Sequence, residues 1–315
     1  MATKRIIPTR REKDPTGQAG NRLRAKRDIS KRVNRLRDPV LAILDSIPVE
    51  SIQVNKTTYR YDANPDRIDS LFDELLAAFY EALELNSRGG WFLNEHLGQA
   101  WREGTIQAFN RLKTLADAVA PDRAEAMQLD SALASPEYVN RFEIISARAF
   151  ENMKGFAGQA AADLGGILGR GVAQGQSPRT IARDIRKKFD SIEGFRALRI
   201  ARTEVNNAYT ESRYEQTRDV RDRLGLEVKQ MHVSALVDST RPSHAIRHGR
   251  LYTLEEQRDF WATGTNLINC LCSTVEVVMI DGKPTQKKLI ERQRKRGEAF
   301  FAMHPGKARR AGKAQ

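Results

Sequence analysis

The chain has 315 residues, of which 40% are hydrophobic and 30% are charged. This composition predicts a folded core rather than wholesale disorder, and the length predicts two domains. No run of about 18 uncharged apolar residues is present, so we expect no membrane-spanning helix. The first residues, MATKRIIPTRREKD, lack the apolar core of a secretory signal, so we expect none.

The positive charge is concentrated at the two ends of the chain. Residues 1–40 hold thirteen Lys/Arg and four Asp/Glu, and residues 281–315 hold eleven and three. The total net charge is +13, yet residues 41–280 contribute −4. Basic ends beside a near-neutral body predict a polyanion or an acidic protein surface as the partner. Tails that only aid solubility are the alternative.

The side chains expected to make these contacts are the Arg and Lys residues of two predicted segments, one near each end. They are Arg22, Arg24, Lys26, Arg27, Lys31, Arg32 and Arg35, and then Lys287, Lys288, Arg292, Arg294, Lys295 and Arg296.

The first 50 residues are expected to form a basic arm. Residues 1–21 carry prolines and glycines among charges and predict disorder, and a helix is expected from Asn21. Apolar residues then recur at steps of three and four, interrupted at Pro39, which should kink or restart the helix. The seam could dock on another subunit or pack on the chain's own body. Its residues are Ile29, Val33, Leu36, Val40, Ile43 and Ile47.

Residues 51–224 predict a helical body that starts with a short hairpin over 52–61. Amphipathic helices are expected from Asp66, from about Asn94 to Ala120, and from Pro136. Ser177 before Pro178 is typical of a helix start, and a further helix should end at about Leu224. Leucine and aromatic stripes of this kind are typical of a core.

The composition changes at Gly225. Residues 226–237 and 273–280 predict two strands of a small α+β module, and the basic residues beyond Asp281 are expected to be extended or loosely helical. The predicted fold class is mainly α: a helical body with a small C-terminal α+β module and basic, partly disordered ends. The predicted segments are 1–50, 51–224, 225–280 and 281–315.

Polar residues with distinctive spacing lie between Ala201 and Cys272. They form Arg202-Thr203-Glu204, then Asp238 with Arg241, His244 and Gly249, and finally Asn269-Cys270-Leu271-Cys272. This order resembles the phage Mu F-like head morphogenesis family, the minor head proteins of tailed phages. Leu271 stands where the family usually has Arg. The similarity covers about residues 150–280.

The resemblance implies a protein of the virion, bound to the portal inside the capsid and present in host cytoplasm during assembly. It implies a role in head assembly, DNA packaging or DNA delivery. The partners implied are the portal protein, other head proteins and packaged double-stranded DNA, which the basic ends would contact without sequence preference.

The histidines and cysteines of this region could bind a metal ion. His244 and His248 are four residues apart and would share one face of a helix, and Cys270 and Cys272 would share one face of a strand. Two His and two Cys are suitable for a structural zinc ion. Cys-x-Cys is less usual for zinc than Cys-x-x-Cys, so buried cysteines, with His244 bonded to a carbonyl or to Asp238, are the alternative.

The charged residues of the region are expected to lock the module onto the helical body. Asp238 and Arg241 are close enough in sequence for an ion pair beside His244. Arg202 and Glu204 lie on different faces of their helix, so one of them could face the module. The predicted locking network is Arg202, Glu204, Asp238, Arg241 and Asn269.

The sequence does not favour an enzyme. It has no nucleophile elbow, no phosphate-binding glycine loop, no H-E-x-x-H and no carboxylate-rich two-metal set. Two alternatives to the head protein remain: a nucleic-acid-binding protein of a cell that uses its basic ends, and a metal-dependent hydrolase or nuclease built on the His/Cys cluster.

Overall fold

The computed structural model describes residues 13–54, 56–62, 65–87 and 90–312. The predicted fold class is confirmed, because helices dominate and a small antiparallel sheet lies near the C-terminus. The chain divides into two compact units. One unit, here the sheet unit, contains the residues up to 21, residues 97–144 and those from 202 onward; the other, here the hairpin unit, contains residues 22–96 and 145–201.

This division differs from the predicted boundaries at residues 50, 224 and 280. Each unit is assembled from segments that are far apart in sequence, which hydrophobic periodicity cannot reveal. Within the described part of the chain, none of the helices is long and apolar enough to cross a bilayer.

The hairpin unit begins with two helices, α1 (Ala19–Asn34) and α2 (Arg37–Asp45). Pro39 falls in the first turn of α2, where a missing backbone N–H costs little, so the predicted restart is observed. The predicted apolar seam is buried within the chain except at Ile43, which is half-buried; the neighbouring Leu44 is buried instead. α2 packs against α8 (Pro178–Ser191) of the same unit, so the chain's own body covers this helix.

The remaining elements of this unit follow the predicted order. Strands β1 (Val49–Val54) and β2 (Lys56–Tyr61) form the predicted hairpin. Helix α3 (Pro65–Ala82) follows, and the long helix α7 (Pro136–Ala173) contributes its second part. The hydroxyl of Ser177 accepts a hydrogen bond from the Thr180 N–H at 3.1 Å, which confirms the predicted cap of α8.

The sheet unit is built on two crossing helices, α4 (Gly98–Val119) and α9 (Ala197–Leu224), the latter from Arg202 onward. Gly104 lies at the crossing, because a Cβ atom there would collide with the Tyr209 carbonyl and the Ser212 hydroxyl. The short helices α5 (Pro121–Ala124) and α6 (Leu129–Ala134) connect α4 to α7. Close approach of the two helix backbones therefore depends on a glycine.

The sheet has the strand order β4-β3-β5-β6, and all its pairs are antiparallel. The strands are β3 (Val228–Val233), β4 (Leu251–Tyr252), β5 (Ser273–Ile280) and β6 (Lys283–Pro284). β3 and β5 are the two strands predicted from the sequence. Helices α10 (Pro242–Ala245) and α11 (Leu254–Ala262) lie between β3 and β5 in sequence.

The C-terminal residues form two helices, α12 (Lys287–Met303) and α13 (Pro305–Gly312), so the helical alternative is observed rather than the extended one. α12 is amphipathic: Leu289 and Ile290 join the apolar cluster that β3 and β5 form, while its basic residues face outward. The expected disorder of residues 1–21 is wrong for residues 13–21, where Thr16 and Gln18 are buried; residues 1–12 lie outside the described part of the chain.

A buried ion pair joins α9 to the sheet. Glu276 on β5 is fully buried, and both its carboxylate oxygens accept hydrogen bonds from the guanidinium of Arg213 at 2.6–3.0 Å. Arg111 on α4 donates to the Glu276 carbonyl at 2.6 and 2.9 Å. Burial lowers the pKa of Arg111 to about 10. Burial also acts to lower the pKa of Arg213, but the charge of Glu276 and the hydrogen bonds that Arg213 donates to Glu276 and Tyr209 together raise it. A carboxylate removed from water is therefore compensated by two arginines.

Replacing Glu276 with Gln should destabilise the protein by about 3–5 kcal/mol, since it leaves the Arg213 guanidinium buried without its counter-charge. Urea unfolding measures this change. The matched control is Glu255→Gln, whose partner Arg221 lies 3.2 Å away at the surface, and it should cost less than about 1 kcal/mol. Equal effects of the two substitutions would contradict this account of the buried pair.

Candidate functional site

The predicted Arg-Thr-Glu segment of α9 contacts the loop that leads into β5, residues 263–272, here the pre-β5 loop. Arg202 Nη1 donates to Asn269 Oδ1 at 2.9 Å, and the Asn269 N–H donates to Thr203 Oγ1 at 3.0 Å. Asn206, one turn further along α9, donates from Nδ2 to the Cys270 carbonyl at 2.6 Å. Three side chains of one helix therefore hold two residues of this loop.

Asn269 has a left-handed backbone conformation, with φ at +56°. Asn tolerates this conformation better than most residues, which gives a physical reason for Asn directly before Cys270. Glu204 of the same helix is buried, and Arg202 is partly buried. Both charged residues are therefore shielded from solvent, although they lie on different faces of the helix.

Arg241 holds the other side of the pre-β5 loop. Its guanidinium donates to the carbonyls of Thr265 at 2.8 Å, Asn266 at 2.9 Å and Ile268. Its Nη1 also lies 3.2 Å from Nε2 of His244. Arg241 therefore holds the pre-β5 loop within the predicted module instead of joining the module to the helical body, and its partners are backbone carbonyls rather than the predicted carboxylate.

Asp238 does not join this network, which corrects the prediction. Its side chain is 99% exposed and lies 3.2 Å from Nε2 of His304. Lys307 donates to the backbone carbonyls of Asp238 and Thr240. Residues of the C-terminal helices therefore provide the partners of Asp238 and Thr240, a packing that the sequence did not predict. The Arg241 guanidinium donates to loop carbonyls instead of to Asp238.

The structure brings three of the four predicted metal ligands together. Nδ1 of His244 lies 3.4 Å from Sγ of Cys270 and 3.5 Å from Sγ of Cys272. The Cys272 N–H points to Sγ of Cys270 at 3.3 Å. The two cysteines precede β5 instead of lying in it, yet both thiols reach one nitrogen.

The fourth predicted ligand, His248, lies elsewhere. Helix α10 ends at Ala245, so the helical spacing between His244 and His248 does not exist. Nδ1 of His248 accepts from the Ser234 N–H at 2.9 Å, and Nε2 lies 3.0 Å from Oε1 of Gln293 on α12. Both ring nitrogens are therefore engaged in holding β3 and α12.

His232 on β3 occupies the place that sequence reasoning gave to His248. One ring nitrogen of His232, one of His244 and Sγ of Cys272 lie within 4.8 Å of one another. His232 is fully buried and its ring stacks on Trp261 at 5.3 Å. The signal in the sequence was a third histidine close to the pair; its inward position depends on the pairing of β3 with β5, which spacing does not reveal.

The local environment shifts the pKa values of the two thiols in opposite directions and keeps His232 neutral. The hydrogen bond from Cys272 and then the neighbouring His244 lower the pKa of Cys270 well below its usual range, and the same pairing together with burial raises the pKa of Cys272. Burial, followed by the charges of His244 and Arg247, lowers the pKa of His232. The cluster therefore pairs one acidic thiol with one that keeps its proton, and it contains the neutral imidazole of His232.

A small cavity opens onto this cluster. Its volume is about 130 Å³, and its lining includes both cysteines, His244, Arg202 and Arg241. The space is sufficient for a few water molecules or a small ion and too small for a nucleotide.

The comparisons with known proteins agree with the resemblance seen in the motifs. Residues 164–275 match the family model described as Phage Mu protein F like protein, which is just over a third of the chain. The predicted resemblance is thus confirmed for this segment, which is similar to phage Mu protein F. No match was found among curated proteins or solved structures.

The basic residues predicted for partner contacts are not equally available. On α1, Arg24, Arg27 and Lys31 are exposed and lie three or four residues apart, so they form one stripe. Arg35, in the turn that follows α1, is exposed as well. In contrast, Arg22 is buried, Lys26 is half-buried, and Arg32 pairs with Glu84 at 2.6 Å.

The second basic segment, on α12, is also exposed for the most part. Lys287, Lys288, Arg292, Arg294 and Lys295 are exposed, whereas Arg296 is half-buried and donates to Gln293. Lys288, Arg292 and Lys295 are spaced by four and three residues and share one face of the helix.

The free energy of unfolding should decrease as the pH falls below about 6.5. Burial, followed by the charge of Arg296, lowers the pKa of His248 from 6.5 to about 4, so the unfolded chain binds a proton here that the folded chain does not. The loss attributable to His248 should be about 2 kcal/mol between pH 7 and pH 5. His232 acts in the same direction.

Urea unfolding at the two pH values measures this effect. His248→Asn, whose amide oxygen can still accept from the Ser234 N–H, should remove most of the His248 contribution. A variant with the full pH dependence of the wild type would exclude His248 as its source.

Proposed function

We propose that the protein is a minor head protein of a tailed phage, located inside the capsid at the portal vertex. In this proposal it binds the portal and other head proteins and acts in head assembly, DNA packaging or DNA delivery. The single observation that carries the proposal is that the segment matching the Mu F-like family contains the pre-β5 loop, the α9 residues that fasten it and Arg241.

The contacts that the polar residues of the motif make favour a binding role over a catalytic one. Arg202, Thr203 and Asn206 engage Asn269 and Cys270 of the loop. Arg241 likewise donates to loop carbonyls. Groups that hold a fold together in this way are not available as acid, base or nucleophile without giving up those contacts. We therefore propose that the protein acts by assembly and has no catalytic turnover.

The basic stripes supply a surface for packaged double-stranded DNA. Such contacts neutralise phosphates and release counterions, so they give affinity without sequence preference. The stripe on α1 is backed by the buried residues Ile29 and Val33, which keep its cations on the outer face. Deleting residues 1–40 would remove this core as well as the charge, so surface substitution is the cleaner test.

Co-expression of the full chain with the portal protein of its own phage tests whether the protein is a minor head protein. The chain should co-purify with the portal assembly through size exclusion and should be detected by mass spectrometry in purified virions. Recovery of only free protein, together with its absence from virions, would contradict the proposed function and favour a cellular nucleic-acid-binding protein.

The test of the DNA contact replaces exposed cations of the α1 stripe and of the turn after it, as Arg27→Gln, Lys31→Gln and Arg35→Gln. Binding to duplex DNA should weaken, and the slope of log affinity against log salt should decrease by about three if each cation contacts one phosphate. The matched control is Arg183→Gln, Arg186→Gln and Lys187→Gln on α8, which are also exposed.

The control removes the same charge from another face. An equal loss of affinity in both variants would show a nonspecific effect of net charge and would contradict a role for the stripe. Cleavage of the DNA during these assays would instead favour the metal-dependent nuclease alternative.

A further inference from the structure

We propose that His232, His244, Cys270 and Cys272 form a binding site for one structural Zn²⁺ ion. The set keeps three of the ligands predicted from the sequence and replaces His248 with a residue of β3. Two nitrogens and two sulfurs are a ligand set that zinc accepts in tetrahedral structural sites.

Three of the four donor atoms, those of His232, His244 and Cys272, lie within 4.8 Å of one another, and Cys270 Sγ lies close to His244. Cys270 Sγ and Cys272 Sγ lie 3.4 and 3.5 Å from Nδ1 of His244, and one His232 nitrogen lies within 4.8 Å of both His244 and Cys272. Zn–N and Zn–S bonds of about 2.0–2.3 Å separate the ligand atoms of a tetrahedral site by about 3–4 Å. The cluster can therefore close around an ion by small side-chain movements.

His232 presents a nitrogen that has no other partner. Its Nε2 is buried and makes no hydrogen bond, while Nδ1 lies 3.4 Å from Oε1 of Gln257. The amide oxygen can only accept, so it favours the tautomer with the proton on Nδ1 and a lone pair on Nε2. A buried imidazole lone pair without a donor is costly unless a ligand satisfies it.

His244 has a second partner that suits metal binding through Nδ1. Asn266 Nδ2 donates to the Phe260 carbonyl at 2.8 Å, which leaves Oδ1 at 3.3 Å from Nε2 of His244. With Nδ1 on the metal, Nε2 carries the proton and donates a hydrogen bond to this oxygen. Nη1 of Arg241 also lies 3.2 Å from Nε2, but its two hydrogens are directed to the carbonyls of Thr265 and Asn266. Oriented second partners of this kind are a regular feature of metal-binding histidines.

The charges of the set balance. Two thiolates neutralise one Zn²⁺, and the imidazoles are neutral ligands; the protons displaced from the thiols pass to the solvent. The buried site therefore gains no net charge. The polar cavity beside the cysteines gives an ion a route to the cluster.

A metal would join three segments that little apolar surface holds together. The ligands come from β3, from the four-residue helix α10 and from the pre-β5 loop. The apolar cluster at this place is small and centres on Tyr214, Leu254 and Trp261. A metal crosslink is a common way to stabilise a region with so small a core.

The experiment uses the full-length chain, reduced and stripped of metal, and titrates it with Co²⁺ as a spectroscopic substitute for Zn²⁺. We expect one equivalent to bind, with thiolate-to-cobalt charge transfer and the strong visible absorption of tetrahedral Co²⁺. Zn²⁺ should displace the colour and raise the melting temperature. Absence of stoichiometric binding, or a spectrum without charge transfer, overturns the proposal.

Variants separate this ligand set from the predicted one. Cys270→Ser and Cys272→Ser should each lose about half of the charge-transfer absorption. His232→Phe, which keeps an aromatic ring against Trp261, should lower Co²⁺ affinity at least about tenfold. His248→Asn, the matched control, should bind as the wild type does. Wild-type affinity in His232→Phe, or loss of binding in His248→Asn, would overturn the assignment.

Circular dichroism in the absence of metal keeps the variants interpretable. If a variant does not fold, the chelator experiment on the wild type still decides: the melting temperature should fall when a strong chelator removes the ion and recover with added Zn²⁺. A melting temperature unaffected by both treatments would contradict a structural metal.

Discussion

The buried ion pair between Arg213 and Glu276 determines where the C-terminal sheet lies on α9. A carboxylate in the middle of a strand that is otherwise buried is stable only opposite a fixed cation, and the bidentate geometry leaves Arg213 little freedom. Arg111 completes the arrangement by bonding the carbonyl of the same residue from α4. The pair therefore specifies one register of β5 against two helices, which apolar packing alone would permit to slide.

The site at the start of β5 depends on that register. Once β5 is fixed, residues 269–272 must pass beside the N-terminal part of the sheet unit's α9, where Arg202, Thr203 and Asn206 hold the loop. The antiparallel pairing of β3 with β5 sets His232 opposite Thr274, close to the thiols. The Mu F-like motif can then be understood as a set of contacts that positions a His/Cys cluster, with most of its polar residues committed to backbone groups.

Local sequence patterns were sufficient to predict most helices and strands, but they did not predict which distant residues contact one another. The Ser177 cap, the hairpin and the strands β3 and β5 follow from local patterns and were predicted correctly. The partner of Asp238 and the ligand-like role of His232 depend on contacts between segments separated by tens of residues, so spacing suggested Arg241 and His248 instead. The packing of α12 on the sheet was missed because its many basic residues concealed an apolar face that includes Leu289 and Ile290.

Native-state hydrogen exchange of the full chain tests most directly whether α9 and the sheet form one cooperative unit. The amides of Val275 and Val277 in β5 should exchange with the same free energy as those of Tyr214 and Thr217 in the middle of α9, because the ion pair and the loop contacts couple the two elements. Exchange of the β5 amides through a local opening of much lower free energy, while the α9 amides stay protected, would contradict this account.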